Sequence, residues 1–306
     1  MPTPLRTLAD PAIARIRGWV LGVFPRGHSG IDYDLPAGDP GLFGPDSVTW
    51  RVHADFPGML SGGLCALMLQ TLHPQALAGV WDHSDFRRDL VGRLRRTTNF
   101  VAGTTYAGRA EAERLIARVA AIHRRVRGHD ADGRPYAADD PALLTWVHVT
   151  ESYGFLEGFR RYARPDLPAA LVDRYYAEAA CVAEALGARE VPTSSRAVTE
   201  YLAAVRPQLR CDGRSREVLA VLARMRLPVP AAGLSRDLFL GAGAALLPPW
   251  AEAMLGRSAL QRAQAAAAAR TLRTIAPLFR AALPDGIAQR ACARVDVDPA
   301  SLARWP

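Results

Sequence analysis

A chain of 306 residues, 49% hydrophobic and 22% charged, is long enough for a substantial buried core and too apolar for bulk disorder. Its formal net charge of +8 rests on arginine alone, because no lysine occurs anywhere, and Schiff-base chemistry on a lysine is thereby excluded. The four cysteines, Cys65, Cys181, Cys211 and Cys292, form no CxxC pair and no CxxCH, which excludes a zinc knuckle, a disulfide framework and covalently attached c-type heme, and fits a reducing cytoplasm.

In chain order, "GWVLGVF" (Gly18 to Phe24) is too short for a signal-peptide core or a membrane span. "RVHADFP" around Val52 reads as a short strand, and the apolar run from Gly58 to Leu72 as a buried helix that turns at His73, before Pro74, where the imidazole can face a cavity. "SDFRRDLVGRLRRTTNFV" predicts an amphipathic helix capped by Ser84 or Asp85, with Phe86, Leu90, Arg93, Leu94, Thr97 and Val101 on one face. "AEAERLIARVAAIHRRVRG" predicts a second helix ending at Gly128, with Ile116, Val119, Ala120, His123 and Val126 or Arg127 facing inward. "GHDADGRPYAADDP" reads as a loop, after which Asp140 caps and Pro141 starts a third helix carrying His148, with Leu144, Glu151 and Phe155 on the same side. Further helices are expected at Ala169 to Leu186, Ser195 to Val205, Arg214 to Met225 and Ala259 to Leu283. No repeat or linker divides the chain, so one all-α domain is expected.

Two adjacent helices thus offer an arginine and a second polar group four residues apart on an inward face: Arg93 with Thr97, and His123 with Arg127. An inward arginine calls for an anion, and an inward histidine for a carbonyl, a carboxylate or a metal. Glu151, three residues after His148, reads as that histidine's hydrogen-bond partner. HEXXH, GxSxG, GxGxxG and Walker patterns are absent, and the scattered arginines accompany no nucleic-acid-binding pattern.

The ordered set "LQTLHPQALAGVWDHSDF", "RLRRT", "IHRRVRG" and "YAADDPALLTWVHVT" resembles the MpaB-type oxygenase family, which is related to the rubber-cleaving latex clearing protein, over residues 62–162. The resemblance implies a helical protein with a globin-like core, a non-covalent heme b, and an oxygenase that uses O2 to oxidise or cleave a C=C bond of a small apolar substrate of isoprenoid or polyketide type. By the same resemblance His123 is the proximal iron ligand, Arg93 and Arg127 pair the propionates or shape the pocket rim, and Thr97 lies near the heme. His148 and His73 are the further histidines of the pocket, His73 with Arg93 and Thr97 on the catalytic side. The implied division is an N-terminal extension over 1–50, the oxygenase domain over 51–290 and a tail over 291–306. Cytoplasmic location, with neither nucleic acid nor stable membrane insertion, completes the expectation. Two alternatives stand beside it: a heme-binding or sensing protein without turnover, and a non-heme iron bundle built from His148, Glu151, His73 and His123.

Overall fold

A computed structural model describes residues 4–25, 27, 30–230 and 232–305. Along these the chain forms α1 (Pro4–Val23), α2 (Val48–His53), α3 (Phe56–Gln70), α4 (Pro74–His83), α5 (Leu90–Tyr106), α6 (Arg109–His123) and the hairpin β1 (Arg127–His129) and β2 (Pro135–Ala137). It continues with α7 (Pro141–Tyr162), α8 (Ala169–Leu186), α9 (Ser195–Val205), α10 (Gly213–Ala223), α11 (Ala232–Ala244), α12 (Pro249–Met254), α13 (Ala259–Ala281) and α14 (Ile287–Arg294), and a short 3₁₀ turn at Pro299–Ala303. The protein is a single all-α domain whose one small sheet is that two-stranded hairpin among the described residues.

The centre is α3. Asp55 caps it, accepting from the Gly58 N–H at 2.9 Å, and the same carboxylate receives Arg280 Nε of α13 at 2.6 Å. Its sequence is apolar on nearly every side, as a helix surrounded by others must be. One side packs antiparallel on α7 with backbone against backbone: a Cβ on Gly62 would overlap the Gly154 carbonyl, and one on Gly158 the Gly58 carbonyl. A second side receives α11, where a Cβ on Gly243 would stand 2.7 Å from the Ser61 carbonyl oxygen. Around this trio α13 packs on α11 and α8 packs on α7 and α2. The α5–α6 pair forms a separate antiparallel hairpin anchored on α2 and α8.

Three expected elements differ. Residues around Val52 are helical, not a strand: Ser47 caps α2 by accepting from the Trp50 N–H at 3.1 Å, and burial of Trp50 and Val52 outweighs the β preference of the valines. Helix α5 starts at Leu90, capped by Asp89 on the Gly92 N–H at 2.8 Å, because Phe86 is buried in the preceding turn with Arg87 stacked on it and on Trp81. Helix α6 ends at His123 instead of Gly128. Val126 and Arg127 leave it to pair with β2, and Gly128 is there because any Cβ would strike the Tyr136 ring, whose hydroxyl donates to Asp82 at 2.7 Å.

Candidate functional site

Because α3 is committed to α7 and α11 while α5 packs on α6 and α2, a gap is left between α5 and the α3–α7 pair. It is a cavity of about 1280 Å³, lined mainly by apolar side chains and reaching outward to residues 24, 25, 27 and 30–34 and to side chains within 283–290 and 299–305. On α3 its wall includes Phe56, Met59, Leu60, Gly63, Leu67 and Gln70, spaced by three and four along about 21 Å of the helix, with Leu64 and Ala66 beside them. On α7 the wall is Phe159, Phe155 and Glu151, again four apart. On α5 it includes Leu94, Thr97, Thr98, Val101 and Thr105.

The arginines of the lining are engaged. Arg51 donates to the carbonyls of Pro45, Ser47 and Arg304, and Arg95 to those of Gly22 and Val23. Arg280 holds Asp55 and the Tyr162 carbonyl, Arg290 holds Asp34, and Arg164 pairs with Asp166 at 3.8 Å over the Trp305 ring. His53 also lines the cavity. Thr105 Oγ1 donates to the Val101 carbonyl at 2.7 Å, so it accepts from His53 Nδ1–H at 2.8 Å, and His53 Nε2 in turn accepts from the Tyr175 hydroxyl at 3.0 Å. Burial pushes this imidazole down to about 3, so it is neutral and both its nitrogens are occupied.

Of the residues singled out from sequence, Arg93 does turn inward. Its guanidinium forms no hydrogen bond or ion pair among the described residues, and burial, then repulsion from Arg96, lowers its pKa against the pull of Glu151. Thr97 stands on the cavity wall, solvent-accessible, its hydroxyl donating to the Arg93 carbonyl at 3.3 Å. His123, at the last position of α6, is half-buried, with a buried Nδ1 that has no partner among the described residues and a pKa lowered by burial. His148 likewise has no hydrogen bond among the described residues, and burial brings it down to about 4.

Two assignments change. Arg127 is exposed, not inward: with α6 ended at His123 it sits on β1 and pairs with Asp139 at 2.9 Å. His73 is buried as the N-cap of α4, Nδ1 accepting from the Ala76 N–H at 3.4 Å, its ring tilted over Trp146 at 5.9 Å, and it lines no part of the large cavity. The expected His148–Glu151 bond does not form among the described residues. Among them, too, no three His, Cys, Asp or Glu side chains converge on a point where a metal ion could sit, so the residues of the non-heme bundle are not brought together.

Glu151 is the side chain whose importance the sequence hid. It touches the cavity yet is enclosed by protein, and burial pushes its carboxyl up to about 7, against the opposing pull of the Gln70 amide and Arg93. A carboxyl whose folded pKa exceeds the unfolded 4.5 binds more protons in the folded state, so its contribution falls as pH rises from 4.5 to about 7 and stays lost above. Glu151→Gln is therefore expected to gain on the wild type by up to about 3 kcal/mol between pH 5 and pH 8, read from denaturant midpoints. The comparison cancels the opposite slope of His148 and His53. Parallel pH curves for the two proteins would show that Glu151 is ionised without penalty.

A family model described as "ER-bound oxygenase mpaB/B'/Rubber oxygenase, catalytic domain" matches residues 50–295, most of the chain. No curated protein and no solved structure matches it. No helix among the described residues is long and apolar enough to cross a membrane.

Proposed function

Because the chain belongs to the mpaB/rubber oxygenase catalytic-domain family, we propose that it is a heme-dependent oxygenase that uses O2 to oxidise or cleave a C=C bond of a small apolar substrate of isoprenoid or polyketide type. A b-type heme requires an axial imidazole with a free nitrogen, a partner for its propionates and an apolar slot. Side chains for the first two needs are present, and the apolar cavity lies beside α5, lined by Thr97 but not by Arg93, His123 or His148. His123 and His148 carry neutral imidazoles without hydrogen-bond partners among the described residues, and Arg93, on the helix packed against that of His123, carries an unengaged guanidinium. When bound, a heme would supply redox-active iron for chemistry with O2.

In this reading His123 holds the iron, kept neutral at physiological pH by its burial. Arg93 pairs a propionate, which gives that buried cation its missing anion. Thr97 bounds the pocket, and His148 stands outside its lining without ligating. Arg127, turned to solvent and paired with Asp139, has no part in it. The Phe56, Phe155 and Phe159 rings keep water from the reacting bond, and a cavity of about 1280 Å³ exceeds the 300–1,000 Å³ typical of small-molecule pockets, leaving room for two occupants.

The observation that carries the proposal is the buried, unpartnered Nδ1 of His123 on the helix packed against that of Arg93, whose guanidinium also has no hydrogen bond or ion pair among the described residues. Protein expressed with heme supplied is expected to purify with an intense Soret band whose pigment leaves in acidified organic solvent, since no CxxCH is present to hold it covalently. A colourless protein that takes up no added hemin would overturn the assignment.

A further inference from the structure

The two helices that form the cavity's longest walls change character at the same end. From the side near the C-terminal segments, α3 presents Phe56, Leu60, Gly63 and Leu67 and then Gln70, and α7 presents Phe159 and Phe155 and then Glu151. Since α3 and α7 run antiparallel, with Gly58 against Gly158 and Gly62 against Gly154, Gln70 and Glu151 belong to one end. The Gln70 Nε2 bond to Thr150 Oγ1 at 3.1 Å confirms the alignment.

We propose that Gln70 and Glu151 are the specificity-determining pair of this cavity, reading a neutral hydrogen-bonding head group, a hydroxyl or carbonyl, on an otherwise apolar chain that lies along α3. The proposal rests on the reading of the cavity as the oxygenase's substrate site. An amide and a protonated carboxyl each donate and accept, which matches an alcohol on both counts and a ketone or ester on one. Burial favours that protonated form of Glu151 near neutral pH. A carboxylate head finds no free cation, since the five arginines of the lining are engaged and Arg93 is not part of it. A bare hydrocarbon offers nothing to the Gln70 carbonyl or to the Glu151 carboxyl proton, although the Gln70 amide keeps its bond to Thr150, and sites built to bond a hydroxyl reject analogues lacking it strongly.

The test is displacement of Nile red from the full chain as purified by 1-dodecanol, 1-dodecene and dodecanoate. The alcohol is expected to displace the dye at a concentration at least about tenfold below that of the alkene and of the acid. Gln70→Leu and Glu151→Leu are each expected to shrink the alcohol's advantage to within about threefold while leaving the alkene where it was, and Glu151→Gln, which keeps a donor and an acceptor, to retain it. Thermal unfolding checks that each variant is folded, and either leucine variant suffices if the other is not. Equal displacement by alcohol and alkene in the wild type, or an alcohol preference that survives both leucine variants, overturns the proposal. Tightest binding by dodecanoate does so too, and points to Arg93. The ratios are read without turnover: a colourless protein with the alcohol preference sinks the heme reading alone, and a pigmented one without it sinks this one alone.

Discussion

Gly154→Leu is expected to cost the protein its native packing, and Gly62→Ala to lower its stability by several kcal/mol, because each new side chain would have to occupy the space of a backbone carbonyl on the facing helix. Overpacking against side chains typically costs 1–3 kcal/mol, since rotamers can yield. A carbonyl in a helix cannot rotate aside without giving up its own hydrogen bond, so relief requires α3 and α7 to separate along their length. α3 is held from a second side by α11, where a Cβ on Gly243 would also press on the Ser61 carbonyl, at 2.7 Å, and cannot simply retreat. Gly63→Ala provides the control. Its Cβ would meet only Phe155 Cε1 at 3.5 Å, an ordinary contact on the cavity face, and the variant is expected to unfold within about 1 kcal/mol of the wild type. Denaturant midpoints of the three variants measure the series. A Gly62→Ala protein as stable as Gly63→Ala would show that the two helices do not meet backbone to backbone.

With heme bound as proposed, His123→Ala is expected to strip the purified protein of most of that heme, whereas His148→Ala retains it with a modestly altered spectrum. Both imidazoles lack hydrogen-bond partners among the described residues, so the distinction rests on their settings. His123 sits on the α5–α6 hairpin with Arg93, an inward guanidinium without a hydrogen bond or ion pair among the described residues, so the proposed iron ligand and the proposed propionate partner would lie on packed helices. His148 lies on α7 one turn before Glu151, on the far side of the gap from that hairpin and outside the cavity lining, and in the proposed reading it does not hold the group. Heme content per chain, by hemochrome absorbance, is the measurement, and added imidazole is expected to restore part of the His123→Ala spectrum. Loss of heme from His148→Ala with retention in His123→Ala would exchange the two roles.

The helices that read correctly from sequence carry their own punctuation. Asp140 and Pro141 start α7, Pro168 precedes α8 and Gly187 ends it, and Ser194 caps α9, so local chemistry alone sets those limits. At residues 84–89 three cap-forming side chains compete, and burial of Phe86 in a turn, a tertiary event, decides for Asp89. The inward period of α6 continues into Val126 and Arg127, yet pairing with residues 135–137 wins, and with it Arg127 passes from the pocket to the surface. The inward turn of Arg93 and the place of Thr97 on the cavity wall follow from the face of one helix. His53, Gln70 and Glu151 were not legible in that way, because each becomes a wall residue only when α2, α3 and α7, drawn from parts of the chain up to about a hundred residues apart, surround one space.

That space has a bearing on how much of the protein a cell would hold. The hairpin that closes it meets the α3–α7 pair across a gap, so whatever fills the gap supplies contacts that the polypeptide alone does not make. An occupant present at a hundred times its dissociation constant adds about 2.7 kcal/mol to the folded state, a large fraction of the roughly 5–15 kcal/mol by which domains are stable at all. Proteases that survey transiently opened chains would remove the vacant form first. Steady-state abundance would then follow the supply of cofactor and substrate as closely as it follows the rate of synthesis, and starvation for either would be read as missing protein before it was read as missing activity.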